Sequence, residues 1–142
     1  MKKINMSKIF LDAIHFDVAI LLIRIFMGGF MAILHGYSKW EKWDLIRGDF
    51  VEPFGMPTWF AAGFTIFAEL FCCMMIVFGL FTRINTLLIM ITMAVAAFYV
   101  HAGDALDDRE GSITYLAAFT AIFLAGPGKY SLDYLIFRKK IN

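Results

Sequence analysis

Charged side chains are scarce in this chain. Asp, Glu, Lys and Arg make up 18% of its 142 residues, hydrophobic residues make up 61%, and the mean hydropathy is +0.72. Soluble globular domains are about one-quarter charged, so this composition excludes an ordinary soluble protein and indicates a membrane protein. The length suits one domain, residues 1–142. A formal net charge of +1 gives no support for a nucleic-acid partner.

Cysteine is nearly absent, and the motifs that hold common redox centres are missing. The two cysteines, Cys72 and Cys73, are adjacent and belong to no CxxC or zinc-ligand pattern. Adjacent residues rarely satisfy disulfide geometry, so both are predicted to be buried small hydrophobic residues. A nucleotide-binding glycine-rich loop, a nucleophile motif and an iron–sulfur cysteine pattern are also missing. These patterns predict no metal site, and an oxidoreductase role would require partners that carry the main redox centre.

Long hydrophobic runs dominate the chain. Residues 59–81 are apolar except for Glu69, and a helix of this length crosses a hydrocarbon core of about 30 Å. A carboxylate at that depth costs about 2.5–3.5 kcal/mol on insertion scales, so the other helices are expected to surround it. The predicted fold is therefore all-α, an integral membrane four-helix bundle. The four predicted spans cover about residues 18–35, 58–81, 84–101 and 112–126.

The distribution of Lys and Arg predicts how this bundle sits in the membrane. Four spans place both termini on one side, together with eight basic residues: Lys2, Lys3, Lys8, Arg83, Lys129, Arg138, Lys139 and Lys140. The opposite side carries four: Lys39, Lys42, Arg47 and Arg109. The positive-inside rule therefore places both termini in the cytoplasm. Thr82 is the predicted N-cap of the third span, and Ser131 that of a short interfacial C-terminal helix.

Two opposite charges lie inside predicted spans. Glu69 is near the middle of the second span, and Arg24 is the one charged residue of the first. Because the long Arg stem can bridge a difference in depth, we predict that Glu69 and Arg24 pair inside the bundle. The alternative for Arg24 is that its side chain extends to the nearer lipid headgroups.

The two histidines at the outer ends of predicted helices suggest proton-coupled chemistry. His35 or His101 would hydrogen-bond a quinone and exchange protons, with Glu69 as a deeper relay. Haem or metal ligation by both histidines is an alternative, and so is a plain capping role at the helix ends. The catalytic candidates are Glu69, His35 and His101. The quinone-binding candidates are His35, Lys39, Arg24, Glu69 and Tyr115.

Four stretches of the sequence resemble the DoxX family: LHGYSK at residues 34–39, AEL at 68–70, GLFTR at 79–83 and GPGKYSLD at 126–133. They occur in the family's order and cover nearly the whole chain. The resemblance implies a small multi-pass protein of the bacterial cytoplasmic (inner) membrane, related to the small subunit of thiosulfate:quinone oxidoreductase. It maps the family's polar positions to His35, Lys39, Glu69, Thr82, Arg83 and His101. The pair Cys72 and Cys73 departs from the family, which tends to have small residues such as glycine there.

The resemblance and the polar residues together favour an integral membrane subunit of a quinone-linked oxidoreductase or oxidative-stress complex. We expect quinone as cofactor within the helix bundle, a lipid bilayer around it, and a soluble or membrane redox protein as partner. Whether the chain itself is an enzyme or forms homo-oligomers is left open. One alternative is a non-catalytic membrane anchor or scaffold for a soluble redox enzyme. A small-molecule permease is disfavoured, because four short helices leave little room for alternating access.

Overall fold

A computed structural model describes residues 13–138 of the chain, with the side chains of residues 16–137. Every regular element in this part is helical. A short 3₁₀ turn at Pro53–Gly55 lies in the longest connection. The helices are α1 at residues 13–41, α2 at Trp43–Ile46, α3 at Thr58–Phe78, α4 at Thr82–Val100, α5 at Leu106–Ala125 and α6 at Leu132–Arg138.

Three of these helices are long and apolar enough to cross a membrane: Phe16–Glu41, Thr58–Phe78 and Thr82–Val100. The prediction of an all-helical membrane protein is thereby confirmed. Helix α5 has 20 residues, but it begins with the charged run Asp107, Asp108, Arg109 and Glu110. A fourth span and a cytoplasmic location for both termini therefore stay predictions. Of the basic residues behind that location, Lys2, Lys3, Lys8, Lys139 and Lys140 lie outside the described residues.

Two helices extend beyond the predicted membrane spans in ways that matter for the site. The first helix does not end at His35 but continues to Glu41, which keeps Lys39 on the same helix as His35. Helix α5 begins at Leu106, six residues before the predicted span, because the acidic stretch after Ala105 forms its first turns. Acidic side chains are favourable there, since the start of a helix carries partial positive charge.

The helices form one bundle in which α3 packs against α1 and α4, and α5 packs along α4 and against the first half of α1. Its buried core includes Met31, Ile76, Ile89, Phe119 and Ile122. Cys72 and Cys73 are free and buried, which confirms the prediction for both. This part of α3 packs against α1, where a Cβ atom added at Gly28 would lie 3.1 Å from the Cys73 carbonyl oxygen.

Several turns of the long helices are π-helical. In α1 these turns are Arg24–Gly28 and Met31–Tyr37, and in α3 the turn is Phe67–Cys72. Each contains one of the polar residues singled out above: Arg24, His35 and Glu69, respectively. The second and third turns pack against each other, so two locally widened helices meet at Glu69. Such π-turns occur frequently at functional sites.

The turn between α3 and α4 is built on a left-handed glycine. Gly79 has φ +69°, and the bonds from Leu80 N to the Met75 carbonyl (2.9 Å) and from Gly79 N to the Ile76 carbonyl (3.0 Å) form a Schellman motif that ends α3. A Cβ atom at Gly79 would overlap the Arg24 guanidinium and the Ser131 side chain. The position therefore requires glycine both for its backbone conformation and for the close approach of its neighbours.

We expect Gly79→Ala to destabilise the protein strongly. The left-handed backbone alone costs a non-glycine residue about 1–2 kcal/mol, and displacement of Arg24 adds to this cost. Gly29→Ala is the matched control, because no atom lies within 4 Å of its added Cβ. Thermal unfolding in mild detergent measures both variants. A Gly79→Ala protein that melts at the wild-type temperature would contradict this account of the turn.

Candidate functional site

A cavity of about 350 Å³ lies between α3 and α4 at one end of the bundle. We call this the loop end; it carries the connections at residues 42–57 and 101–105. The opposite end, with the turn after α3 and residues 126–131, is the turn end. The cavity is mostly apolar, and its polar lining consists of Lys39, Thr65, Glu69, Thr92 and His101. A volume of this size lies in the range of small-molecule sites.

Glu69 forms an ion pair with Lys39 at the wall of the cavity. Lys39 Nζ donates to Glu69 Oε2 at 2.5 Å, and the Glu69 residue is only 4% exposed. The pair depends on a close approach of α1 to α3. A Cβ at Gly36 would lie 2.6 Å from the Leu70 backbone nitrogen, so only glycine fits there. The extension of α1 past His35 supplies the cation, and Gly36 brings it within reach of the acid.

The predicted pairing of Glu69 with Arg24 is wrong. Arg24 is buried at the turn end, where it donates to the backbone carbonyls of Pro127 and Tyr130 at 2.6 Å each. Lys39 lies at a depth in the bundle closer to that of Glu69, and it forms the ion pair with Glu69 instead of Arg24. Arg24 therefore does not line the cavity, and the structure separates it from the other quinone-binding candidates.

His101 lines the cavity at the end of α4 and is paired with an acid. Its Nδ1 lies 2.6 Å from Asp104 Oδ2, three residues later in the chain. With the carboxylate as acceptor, Nδ1 carries the proton and Nε2 is the nitrogen that can accept a hydrogen bond from a molecule in the cavity. Asp104 is exposed, so this pair connects the cavity with the water at the loop end.

His35 and Tyr115, which were predicted to bind the ligand together with Glu69 and Lys39, do not line the cavity. The His35 ring is packed edge-on against the Tyr115 ring with centroids 5.7 Å apart, and Tyr115 stacks on Phe119 at 6.1 Å. The pair therefore joins α1 to α5. The two histidines have different partners, since His35 contacts Tyr115 and His101 contacts Asp104.

The cavity is covered by part of the long connection, which sequence reasoning treated only as a loop. Phe50, Val51, Pro53, Phe54 and Met56 all line it. Phe54 has a left-handed backbone (φ +55°), its N–H donates to the Tyr99 hydroxyl at 3.3 Å, and the two rings lie 4.6 Å apart. A left-handed phenylalanine is uncommon and is held here by its contact with α4. The sequence feature that could have indicated this covering loop is the group of apolar residues on both sides of Pro53.

A second buried polar network lies at the turn end. Asp133 accepts from the Phe81 N–H, the Thr82 N–H and the Thr82 hydroxyl at 2.7–2.8 Å, and Asp17 accepts from the Lys129 N–H at 3.0 Å. The prediction that Thr82 is the N-cap of its helix is therefore wrong. Thr82 is the first residue of α4, and Asp133 supplies the capping oxygen. Both acids were missed.

The N-cap prediction for Ser131 is confirmed, since its hydroxyl accepts from the Tyr134 N–H at 3.1 Å. The sequence feature that could have indicated the polar network of the turn end is the stretch from Gly126 to Asp133, which combines helix-breaking residues with a serine and an acid.

The sequence profile of the DoxX family matches residues 19–102. The chain belongs to the DoxX family. The match covers most of α1 and all of α2 to α4, and it contains both members of the Lys39–Glu69 pair together with His101. No curated protein and no solved structure gives a match. The family is a membrane protein family with loose links to oxidoreductases, so membership is consistent with the spanning helices and leaves the specific role of this DoxX protein to be argued from its site.

We expect the two members of the ion pair to respond unequally to mutation. Lys39→Met leaves a buried carboxylate unpaired, which costs about 3–5 kcal/mol. Glu69→Gln costs less, because the Lys39 side chain is 28% exposed and its amine can turn to water. In the double variant Lys39→Met/Glu69→Gln, most of the loss caused by Lys39→Met should disappear.

Unfolding in detergent measures this double-mutant cycle. Lys42→Met is the control, because Lys42 is an exposed lysine at the same end of the bundle. Strictly additive effects of Lys39→Met and Glu69→Gln would show that the pair contributes nothing as a pair.

Proposed function

We propose that this DoxX protein is the integral membrane subunit of a quinone-linked oxidoreductase or oxidative-stress complex in the bacterial cytoplasmic membrane. Its quinone site would be the cavity between α3 and α4. The observation that carries the proposal is a largely apolar cavity whose lining combines the Lys39–Glu69 pair with His101. An apolar wall with a few well-placed polar groups is what a lipid-soluble ring with polar oxygens requires.

The residues of the cavity suit different parts of such a ligand. The Lys39 ammonium, held by Glu69, is a donor for a carbonyl oxygen. With Nδ1 held by Asp104, His101 can take a proton from the water at the loop end on Nε2 and donate it to a quinone oxygen when the ring is reduced. The apolar residues of the covering loop exclude water from the ring of the ligand. When bound, quinone supplies the two-electron, two-proton couple that the side chains of this protein lack.

The electrons would come from a partner protein. The described residues include no group of three or more His, Cys, Asp or Glu that could hold a metal ion. The free cysteines are buried in the core, and neither lines the cavity. A soluble or membrane redox protein would therefore deliver electrons to the cavity, and the DoxX subunit would bind the quinone and handle its protons.

The test is extraction and mass spectrometry of protein purified in mild detergent. We expect near-stoichiometric quinone in the wild type and its loss in Ala96→Phe, which fills the cavity from α4. His101→Leu removes the donor to the quinone oxygen and should weaken binding about 3- to 10-fold, as expected for one hydrogen bond. Binding is measured by adding a short-chain quinone to the delipidated protein.

Two variants are matched controls. His35→Ala removes a histidine of the loop end that does not line the cavity, and Ile84→Phe adds an aromatic ring on an exposed position of α4. Both should retain quinone. Absence of quinone from all well-folded samples would instead favour a non-catalytic anchor for a redox enzyme. Loss of quinone in His35→Ala but not in Ala96→Phe would place the site elsewhere.

A further inference from the structure

A second cavity, of about 510 Å³, lies at the loop end where α1 and α2 meet α3. It is larger than the cavity proposed for quinone, and no residue lines both. Gly63, Phe67 and Phe71 line it at a spacing of four residues, which puts them on one side of α3. The quinone cavity uses the opposite side of α3, with Thr65 and Glu69. The second cavity is therefore a separate site, and its ligand need have no relation to quinone.

Four aromatic side chains line this space, which we call the aromatic cavity: Trp40, Trp43, Phe67 and Phe71. The Trp40 ring meets the Phe71 ring edge-on with centroids 6.3 Å apart, and Phe67 stacks on Phe71 at 6.2 Å. The Trp43 ring lies over the surface of α3, since a Cβ atom added at Gly63 would be 3.7 Å from its Cη2 atom. These contacts between neighbours give the cavity a defined aromatic wall.

The charged residues that line the aromatic cavity, within the described part of the chain, are two acids, Glu41 and Asp44. Glu41 accepts a hydrogen bond from the neutral Tyr37 hydroxyl, and no described residue forms an ion pair with it. Asp44 is paired with Arg47 at 3.3 Å, but both side chains are more than half exposed, and such a pair in water contributes little. The aromatic cavity therefore carries negative charge, and Glu41 is the carboxylate without a cation beside it.

We propose that the aromatic cavity is a binding site for an organic ammonium group. A cation is attracted to the faces of aromatic rings, most strongly to tryptophan, and cages of such rings recognise quaternary ammonium ligands. The rings contact the carbon substituents of the ammonium, and the Glu41 carboxylate supplies the opposite charge. An anion would meet two carboxylates and no lining cation. A neutral apolar molecule would leave the Glu41 charge without a partner, so the lining selects a cation that also carries carbon substituents.

The position of the aromatic cavity gives it access to two sources of such a group. Glu41 is the last residue of the span Phe16–Glu41, so it lies where this helix leaves the membrane. Tryptophans are common at that level, but a belt of interfacial rings requires neither a cavity between three helices nor a carboxylate within it. The ammonium can arrive from water as a small cation, or from the bilayer as a phospholipid headgroup. The chemistry recognised is the same in both cases.

Intrinsic fluorescence reports on the aromatic cavity directly, because Trp40 and Trp43 are two of the three tryptophans of the chain. The Trp59→Phe protein, in a neutral detergent, is titrated with choline or with dimethylbutanol, its uncharged carbon isostere. We expect a saturable change with choline at a concentration about tenfold below that needed for the isostere. The bilayer source is tested with brominated phosphatidylcholine against brominated phosphatidylglycerol. Bromine quenches tryptophan, and of these two lipids the first carries the ammonium, so it should quench at the lower concentration.

Three variants, made in the Trp59→Phe protein, locate the effect. Glu41→Gln should reduce the preference for the ammonium ligand about two- to fivefold, and Trp43→Leu about three- to tenfold, with Trp40 as the reporter. Glu52→Gln is the matched control, because Glu52 is an exposed acid of the loop end that does not line the aromatic cavity. Unfolding temperatures show that each variant is folded.

The two pairs of ligands separate the sources. A preference for choline alone supports a site for soluble ammonium compounds, and a preference for phosphatidylcholine alone supports a site for lipid headgroups. Equal responses to the two members of both pairs would overturn the proposal, and so would equal effects of Glu41→Gln and Glu52→Gln.

Discussion

The arrangement of this bundle depends on the need to compensate one buried carboxylate. Glu69 sits in an apolar helix at 4% exposure, where an unpaired charge is not tolerated. Its partner can come only from a neighbouring helix, so α1 must stay helical as far as Lys39 and must approach α3 closely. Gly36 makes the approach sterically possible. The ion pair thus fixes the position of α1 against α3, and with it one wall of the cavity.

Much of the fold follows from the sequence because hydrophobic length is a direct physical requirement of a membrane helix. The apolar runs gave the spans, and the cost of a buried acid singled out Glu69. Lys39 and His101 could be named, but their partners could not. Pairing depends on which residues two helices bring to the same depth, and Lys39 was assigned to a loop because the first span was ended at His35. The prediction paired Arg24 with the wrong group, because residue types do not show which backbone carbonyls will accept its hydrogen bonds.

The two ends of the bundle use polar groups for different purposes. At the turn end, Arg24 and Asp133 bond to backbone groups of distant segments, and these bonds join the chain after α5 to α1 and α4. At the loop end, Lys39, Glu69 and His101 bond to side chains and line a cavity. Polar groups that complete the backbone serve the fold, whereas polar groups that face an apolar cavity are available to a ligand. This contrast supports the proposal that the quinone site lies at the loop end.

The hydrogen bonds from Asp133 have a consequence for how the protein is made. Thr82 and its capping acid are 51 residues apart in the chain. At a synthesis rate of about 5–20 residues per second, the start of α4 leaves the ribosome roughly 3–10 s before its cap exists. During insertion these backbone donors must be satisfied by water at the membrane surface. The turn end is therefore completed only after the helices around it are in place, as a late step of biogenesis.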